Sequence, residues 1–302
     1  MAAQSVQAPS PRGRMIDIGD GRSLHAVFAG EADDTGPLVV LEAGAFGFSA
    51  DWAAVQIKLA QKGLRSMAYD RAGLGFSGPG PEPRDAKAIV GDLERLLAVV
   101  GARGSLLLCG HSMAGLQVRL FVARNPERVM GVVLVDATTP EAMESKSMSG
   151  FVEHFARASR LAAWGAGAGL LGPLSGTALG DFIGLEGAAG LEKRWAFAHA
   201  SHNHWAAREV ESWAQSARQG REAGRFDPDL PVAVILAGAA GPLTGFRAVQ
   251  VAPAQASKQG LVDFVAGASH ATMLNGVFAD VVIRGIEHVR VAAGLEETAT
   301  RI

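Results

Sequence analysis

A serine flanked by small residues is the strongest indication of chemistry in this sequence. The segment Gly110-His111-Ser112-Met113-Ala114-Gly115 follows an uninterrupted apolar run, residues 106–109, and the residues after it have helical spacing. This pattern predicts a buried strand, a sharp turn and a helix, with Ser112 at the apex of the turn. Backbone N–H groups and the helix dipole at that point stabilise developing negative charge. We therefore expect Ser112 to act as a nucleophile.

Strands and helices alternate along most of the chain, and the fold that these elements form positions Ser112. A hairpin is predicted first, and further strands are separated by amphipathic helices, one of them capped by Asp85. The predicted strands after the hairpin at 14–28 are residues 38–41, 65–69, 106–109, 130–135, 231–236 and 261–266, and a helix over 277–291 closes the chain. Such alternation predicts a mostly parallel sheet covered on both faces, with its chemistry at the carboxyl ends of the strands.

Two motifs resemble those of a known superfamily. The turn around Ser112 is similar to the G-x-S-x-G nucleophile elbow of the α/β-hydrolase fold, with Ala114 in place of the last glycine. Residues 70–77, DRAGLGFS, resemble the D-x-x-G-x-G-x-S loop of the same fold. The resemblance implies a serine esterase-like or lipase-like hydrolase, with a mostly parallel central sheet, helices on both faces and an inserted helical cap. It also implies catalysis without a cofactor.

A serine hydroxyl becomes a good nucleophile only when a base accepts its proton, and a carboxylate must orient that base. The resemblance implies a base in the loop after the last strand, where His270 stands. In most members the acid follows the penultimate strand, but no Asp or Glu occurs from residue 230 to residue 262. A minority supply the acid from the preceding strand of the sheet, and Asp136 stands there. We therefore expect the catalytic set Ser112, His270 and Asp136.

Other assignments of the acid remain open at this stage. Glu42 ends a central strand, and a Ser–His dyad without an acid is a further alternative. Asp136 could instead cap the turn that follows it. Asp263 is disfavoured, because seven extended residues, about 20 Å of chain, separate it from His270.

The oxyanion that forms during attack needs backbone donors that already face it. The resemblance implies the N–H of Met113, directly after the nucleophile, and the N–H of Ala45, in the loop after the first central strand. Phe46 replaces Ala45 if the register of that loop is shifted by one residue. Phe46 is also expected to contact the substrate.

Composition excludes several classes of partner. The chain has 302 residues, 48% hydrophobic content and a formal net charge of −2, with no basic cluster, so we expect no nucleic-acid partner.

The single cysteine, Cys109, lies in an apolar strand, which favours a reducing, cytoplasmic location. His199, His202 and His204 lack metal-ligand spacing, so no metal site is predicted. Residues 1–13 are expected to form a disordered arm. The sequence indicates nothing about oligomeric state.

A change of pattern divides the chain into a core, residues 14–139 and 227–302, and a cap, residues 140–226. The cap is rich in Ala, Gly and Trp, and its residues 161–180 carry no charge. Several glycines and a proline make that stretch a poor membrane span, so no stable membrane insertion is expected. Trp164 and Trp205 are expected to line a substrate pocket, which with the scarcity of charge indicates an uncharged, fairly apolar substrate.

These features predict hydrolysis of a carboxylic ester, or of a related lactone or thioester, in a small molecule. A serine at the elbow excludes haloalkane dehalogenase and epoxide hydrolase chemistry, which needs a carboxylate nucleophile. Two alternatives remain. One is a cofactor-free oxygenase that uses a His–Asp pair on the same fold, and the other is a slow or non-catalytic ligand-binding protein.

Overall fold

Eight strands form one sheet in the computed structural model, which describes residues 7–31 and 36–295. The strand order is β1-β2-β4-β3-β5-β6-β7-β8. The first two pairs, β1 with β2 and β2 with β4, are antiparallel, and every later pair is parallel. The strands are β1 Arg14–Asp17, β2 Ser23–Ala29, β3 Leu38–Glu42, β4 Ser66–Tyr69, β5 Leu106–His111, β6 Val129–Val135, β7 Val232–Ala237 and β8 Leu261–Val265.

The central strands are buried from end to end because helices cover both faces of the sheet. Every residue of β3 and β5 is buried, as their continuous apolar runs predict for a parallel sheet. Helices α1 and α9 pack on one face, and α2, α3 and α8 pack on the other. The helices are α1 Ala53–Gln61, α2 Ala86–Val99, α3 Ala114–Arg124, α4 Lys146–Gly167, α5 Gly187–Ala198, α6 Ala200–Glu211, α7 Trp213–Glu222, α8 Phe246–Ala256 and α9 Ala279–Ala292.

The segment between β6 and β7 forms an inserted helical cap. Residues 140–226, all of which the structure describes, contain α4 to α7 and two short 3-10 turns, Pro140–Glu144 and Gly172–Leu174. Helix α7 lies against the core, because Ser216 and Gln219 accept hydrogen bonds from backbone N–H groups at the start of α2. The remaining cap helices can therefore cover the carboxyl ends of the strands.

The uncharged stretch of the cap does not form one long helix. Helix α4 ends at Gly167, and the chain then turns repeatedly as far as Gly180. Within residues 7–31 and 36–295, no helix has the length and hydropathy that crossing a membrane requires.

Two features of the described structure were not expected from the sequence. Residues 1–6 of the expected disordered arm lie outside the described residues, but Arg12 in the same segment is held in place. Its backbone N–H and its guanidinium both donate to the buried carboxylate of Glu192, at 2.8 Å each. The sequence also did not predict α8, because this helix contains Pro253 and buries only a few residues of mixed type.

Candidate active site

The turn that carries Ser112 is sharp and sterically tight. Ser112 has a φ of +56°, a left-handed conformation that is unfavourable for a residue with a Cβ. A Cβ on Gly110 would lie 2.7 Å from Val118, and one on Gly115 would lie 2.4 Å from the carbonyl oxygen of Thr138. Glycine is therefore required at both positions. The surrounding packing holds Ser112 in its strained conformation at the start of α3.

The structure brings Ser112, His270 and Asp136 together in one hydrogen-bonded chain. His270 Nε2 lies 2.9 Å from Ser112 Oγ, and His270 Nδ1 lies 2.6 Å from Asp136 Oδ2. Asp136 directly follows β6, the neighbour of β5, and its backbone has a φ of +44°. His270 lies in the loop after β8. Three segments that are distant in sequence thus meet at the carboxyl edge of the sheet.

The carboxylate of Asp136 is in its charged form near neutral pH. Burial by itself would raise its pKa, but the hydrogen bond and charge of His270 outweigh burial and leave the pKa below its usual value. Gln250 of α8 donates to both Asp136 Oδ1, at 3.4 Å, and the carbonyl of Ala137, at 3.3 Å. Asp136 can therefore hold the Nδ1–H tautomer of His270 and stabilise an imidazolium.

The rival carboxylates have other partners. Glu42 accepts from the hydroxyl of Tyr69 at 2.6 Å and from Arg71 at 2.9 Å. Asp263 pairs with Arg284 at 3.0 Å. Neither carboxylate contacts His270, so the geometry leaves Asp136 as the partner of this imidazole.

His111 contacts the hydrogen-bonded chain of Ser112, His270 and Asp136, which sequence reasoning did not predict. Its Nε2 lies 2.9 Å from the carbonyl oxygen of His270, which can only accept, so Nε2 must carry the proton. Burial, with the nearby His270, lowers the pKa of His111 to about 3. The ring is therefore neutral near neutral pH and donates a hydrogen bond to the backbone of the loop that carries His270. The only sequence feature that pointed to this contact was the position of His111 directly before Ser112.

Two backbone N–H groups are available for an oxyanion. Among the described residues, neither Met113 N–H nor Ala45 N–H has a hydrogen-bond acceptor. The loop of Ala45 lies against Ser112, because a Cβ on Gly44 would be 2.8 Å from the Cβ of Ser112. Phe46, the alternative donor, has a φ of +57°, and its N–H also has no acceptor within residues 7–31 and 36–295. The loop next to Ser112 thus contains backbone N–H groups without acceptors in the described chain.

A cavity of about 400 Å³ opens onto Ser112 and His270. Most of its walls are apolar, and they come from the cap and from the loop after β3. The main apolar lining residues are Phe46, Phe155, Leu179, Phe182, Ile183 and Phe197. Its charged side chains, Lys193 and Asp51, form an ion pair at 2.7 Å. A small, largely uncharged ligand fits such a cavity.

Two of the residues expected to bind substrate lie elsewhere. Trp164 does not line the cavity, and 67% of its surface is exposed on the outer side of α4. Trp205 packs on Gly73, where an added Cβ would lie 2.0 Å from the indole ring. Phe46, in contrast, lines the cavity. Residue type alone does not indicate which face of a cap helix meets the cavity.

The histidines at positions 199, 202 and 204 do not converge on one point. His202 is buried, and its Nδ1 accepts a hydrogen bond from the N–H of Gly75 at 3.0 Å. Burial lowers the pKa of His202 to about 3, so the ring is neutral. His199 instead stacks on Trp195. His202 thus joins the cap to the core, whereas His199 contacts another residue of the cap.

Comparisons with known proteins agree with this architecture. A family model described as alpha/beta hydrolase fold matches residues 37–172. An AB hydrolase superfamily protein of Gibberella zeae is 36% identical over 105 residues, 33% of this chain and 32% of that protein. The bifunctional esterase/perhydrolase DCH of Acinetobacter calcoaceticus is 31% identical over 100 residues, 33% of this chain and 36% of that protein. The chain thus spans only about a third of the length of these relatives.

Solved structures match over nearly the whole chain. An esterase from Thermogutta terrifontis superposes with a TM-score of 0.63 at 19% identity, covering 89% of this chain and 94% of the esterase. The enol-lactonase of Burkholderia xenovorans LB400 superposes with a TM-score of 0.62 at 22% identity, covering 90% of this chain and 98% of the lactonase. At these identities the likeness concerns the fold. Together with the matched family model and the strand order, it shows that this chain has the α/β-hydrolase fold.

Proposed function

We propose that this protein is a serine hydrolase that cleaves a carboxylic ester, or a related lactone or thioester, through an acyl-enzyme. One observation carries the proposal, namely the chain of hydrogen bonds from Ser112 through His270 to Asp136, at 2.9 and 2.6 Å, at the floor of a cavity. A relative that is 31% identical over 100 residues is named as a bifunctional esterase/perhydrolase, which favours the same reaction class.

Each proposed step follows from these contacts. His270 Nε2 accepts the Ser112 proton as Oγ bonds to the carbonyl carbon, and the carbonyl oxygen becomes an oxyanion bound by Met113 and Ala45 N–H. As the carbonyl re-forms, the bond to the leaving group breaks and His270 returns its proton to that group. Water then attacks the acyl-enzyme while His270 accepts its proton. The acid product departs and Ser112 regains a proton.

The walls of the cavity indicate the kind of substrate. Apolar side chains cover most of its surface, and its lysine is neutralised by an aspartate within the protein. A charged substrate would lose its hydration in this cavity without gaining a free counter-ion. We therefore propose an uncharged, fairly apolar small molecule as the substrate.

Two measurements test this proposal. The first is turnover of p-nitrophenyl esters of increasing acyl length, and the second is labelling by a fluorophosphonate, which reacts rapidly only with an activated serine. Ser112→Ala should abolish both signals, whereas Ser201→Ala, on the exposed side of α6, should leave both unchanged. Full turnover in Ser112→Ala would reject the acyl-enzyme mechanism. Oxygen consumption that persists in Ser112→Ala would instead favour the cofactor-free oxygenase.

A further inference from the structure

A fully buried arginine lies next to the proposed active site and has no part in the steps above. Arg71 is the second residue after β4, next to Asp70, and only 1% of its side chain is exposed. All five of its N–H donors have acceptors. Nε and Nη2 donate to the two carboxylate oxygens of Glu209, at 2.9 and 2.8 Å. Nη1 donates to Glu42 at 2.9 Å and to the carbonyl of Ala43, and Nη2 also donates to the carbonyl of Gly44 at 2.8 Å.

The bond to Gly44 bears directly on the oxyanion donor. The carbonyl of Gly44 and the N–H of Ala45 belong to the same peptide group, which is planar and trans. In such a group the N–H points opposite to the C=O. When Arg71 holds the Gly44 oxygen, the Ala45 N–H is therefore aimed away from Arg71. The positive charge also polarises this peptide, which strengthens its N–H as a donor.

The guanidinium itself is held by a residue of the cap. Glu209 of α6 binds it through both carboxylate oxygens, a bidentate geometry that fixes the plane of the guanidinium. Two other residues on the same face of α6 contact the loop that carries Arg71. His202 accepts from Gly75 N–H, and Trp205 packs on Gly73. The position of α6 and the orientation of Arg71 are thus coupled.

We propose that Arg71 is a positioning residue that orients and polarises the Gly44–Ala45 peptide for the oxyanion, and that Glu209 of the cap holds Arg71 in the required plane. The catalytic part of this inference rests on the proposed hydrolase function. Arg71 acts through the backbone and does not touch the substrate. The arrangement makes correct seating of the cap a condition for a complete oxyanion hole.

Arg71→Lys tests the proposal, because a lysine has three donors in place of five and cannot reproduce the planar fork. With a p-nitrophenyl ester, we expect kcat to fall about 10- to 100-fold and KM to change less than about threefold, as for a weakened oxyanion donor. Glu209→Gln keeps the volume and one acceptor oxygen, and kcat should fall about three- to tenfold. An unchanged kcat in folded Arg71→Lys would overturn the proposal.

Arg84→Lys is the matched control. Arg84 is equally buried and pairs with Asp92 at 2.9 Å, but it lies just before the N-cap of α2 and outside the cavity. This variant should lose thermal stability and keep kcat within about twofold of wild type. An equal loss of kcat in Arg84→Lys and Arg71→Lys would mean that the effect is structural.

A crystal structure of Arg71→Lys separates this inference from the proposed function. We expect the bond to the Gly44 oxygen to be lost and the Gly44–Ala45 peptide to rotate. An unchanged peptide would overturn the inference whether or not the wild type is active. Absence of any Ser112-dependent turnover or labelling in the wild type would instead overturn the proposed function, while the peptide orientation would still decide whether Arg71 positions this loop.

Discussion

Asp136→Asn is the most informative single change, because it removes one charge and leaves the shape of the site nearly intact. The carboxylate faces Nδ1 of His270 at 2.6 Å, so in the proposed mechanism it stabilises the imidazolium formed during attack on the substrate. Two charges about 4 Å apart interact by about 4 kcal/mol at an effective dielectric constant of about 20. Because 52% of the His270 side chain is exposed, solvent screening reduces this to about 2 to 4 kcal/mol.

That range predicts a decrease in kcat of about 30- to 1,000-fold, since each 1.4 kcal/mol changes a rate about tenfold. An asparagine NH₂ that donates to Nδ1 would hold the wrong tautomer and move the result towards the larger value. The assay is the initial rate with a p-nitrophenyl ester at saturation, with the melting temperature recorded for each variant. KM should change little, because Asp136 does not line the cavity.

Asp263→Asn is the matched control for this change. Asp263 makes one ion pair, with Arg284, and has no contact with His270, so kcat should stay within about twofold of wild type. If Asp136→Asn keeps a near-wild-type kcat, the assignment of the acid is wrong. Glu42→Gln would then distinguish a role for Glu42 from a Ser–His dyad without an acid.

Three further predictions concern His111, the pH dependence of the stability from Asp136, and two glycines. His111→Gln should lower kcat about five- to twentyfold by loosening the loop that carries His270, while exposed His204→Gln should not change kcat; steady-state kinetics measures both. The pKa of Asp136 is lowered in the folded state, so the stability that its carboxylate contributes is present above about pH 4 and is lost as the pH falls further. The difference in unfolding free energy between wild type and Asp136→Asn should therefore shrink from about pH 6 to about pH 3. Urea titrations at each pH measure this difference. Gly110→Ala should destabilise the fold by about 1 to 3 kcal/mol through its clash with α3, whereas Gly91→Ala, with open space on α2, should stabilise it by up to about 1 kcal/mol in the same titration.

The sequence by itself determined the parts of this protein that depend on neighbouring residues. The apolar run before Ser112, the small residues around it and the helical spacing after it predict the elbow, because a strand, a tight turn and a helix are each set by interactions within a few residues. The same reasoning predicted Asp85 as a helix cap, and its side chain does accept from Ala88 N–H. The α/β-hydrolase fold follows from these patterns together with the resemblance of two motifs.

Only the tertiary structure decided which distant side chains meet. Asp136 reaches His270 because β6 lies between β5 and β7, and the order of strands in a sheet is not encoded by any local pattern. The contact between Arg71 and Glu209 joins residues 138 positions apart, and it depends on how the cap rests on the core. Trp205 faces Gly73 for the same reason. Local spacing defines a helix and its faces, but packing against the rest of the molecule selects the face that meets the cavity.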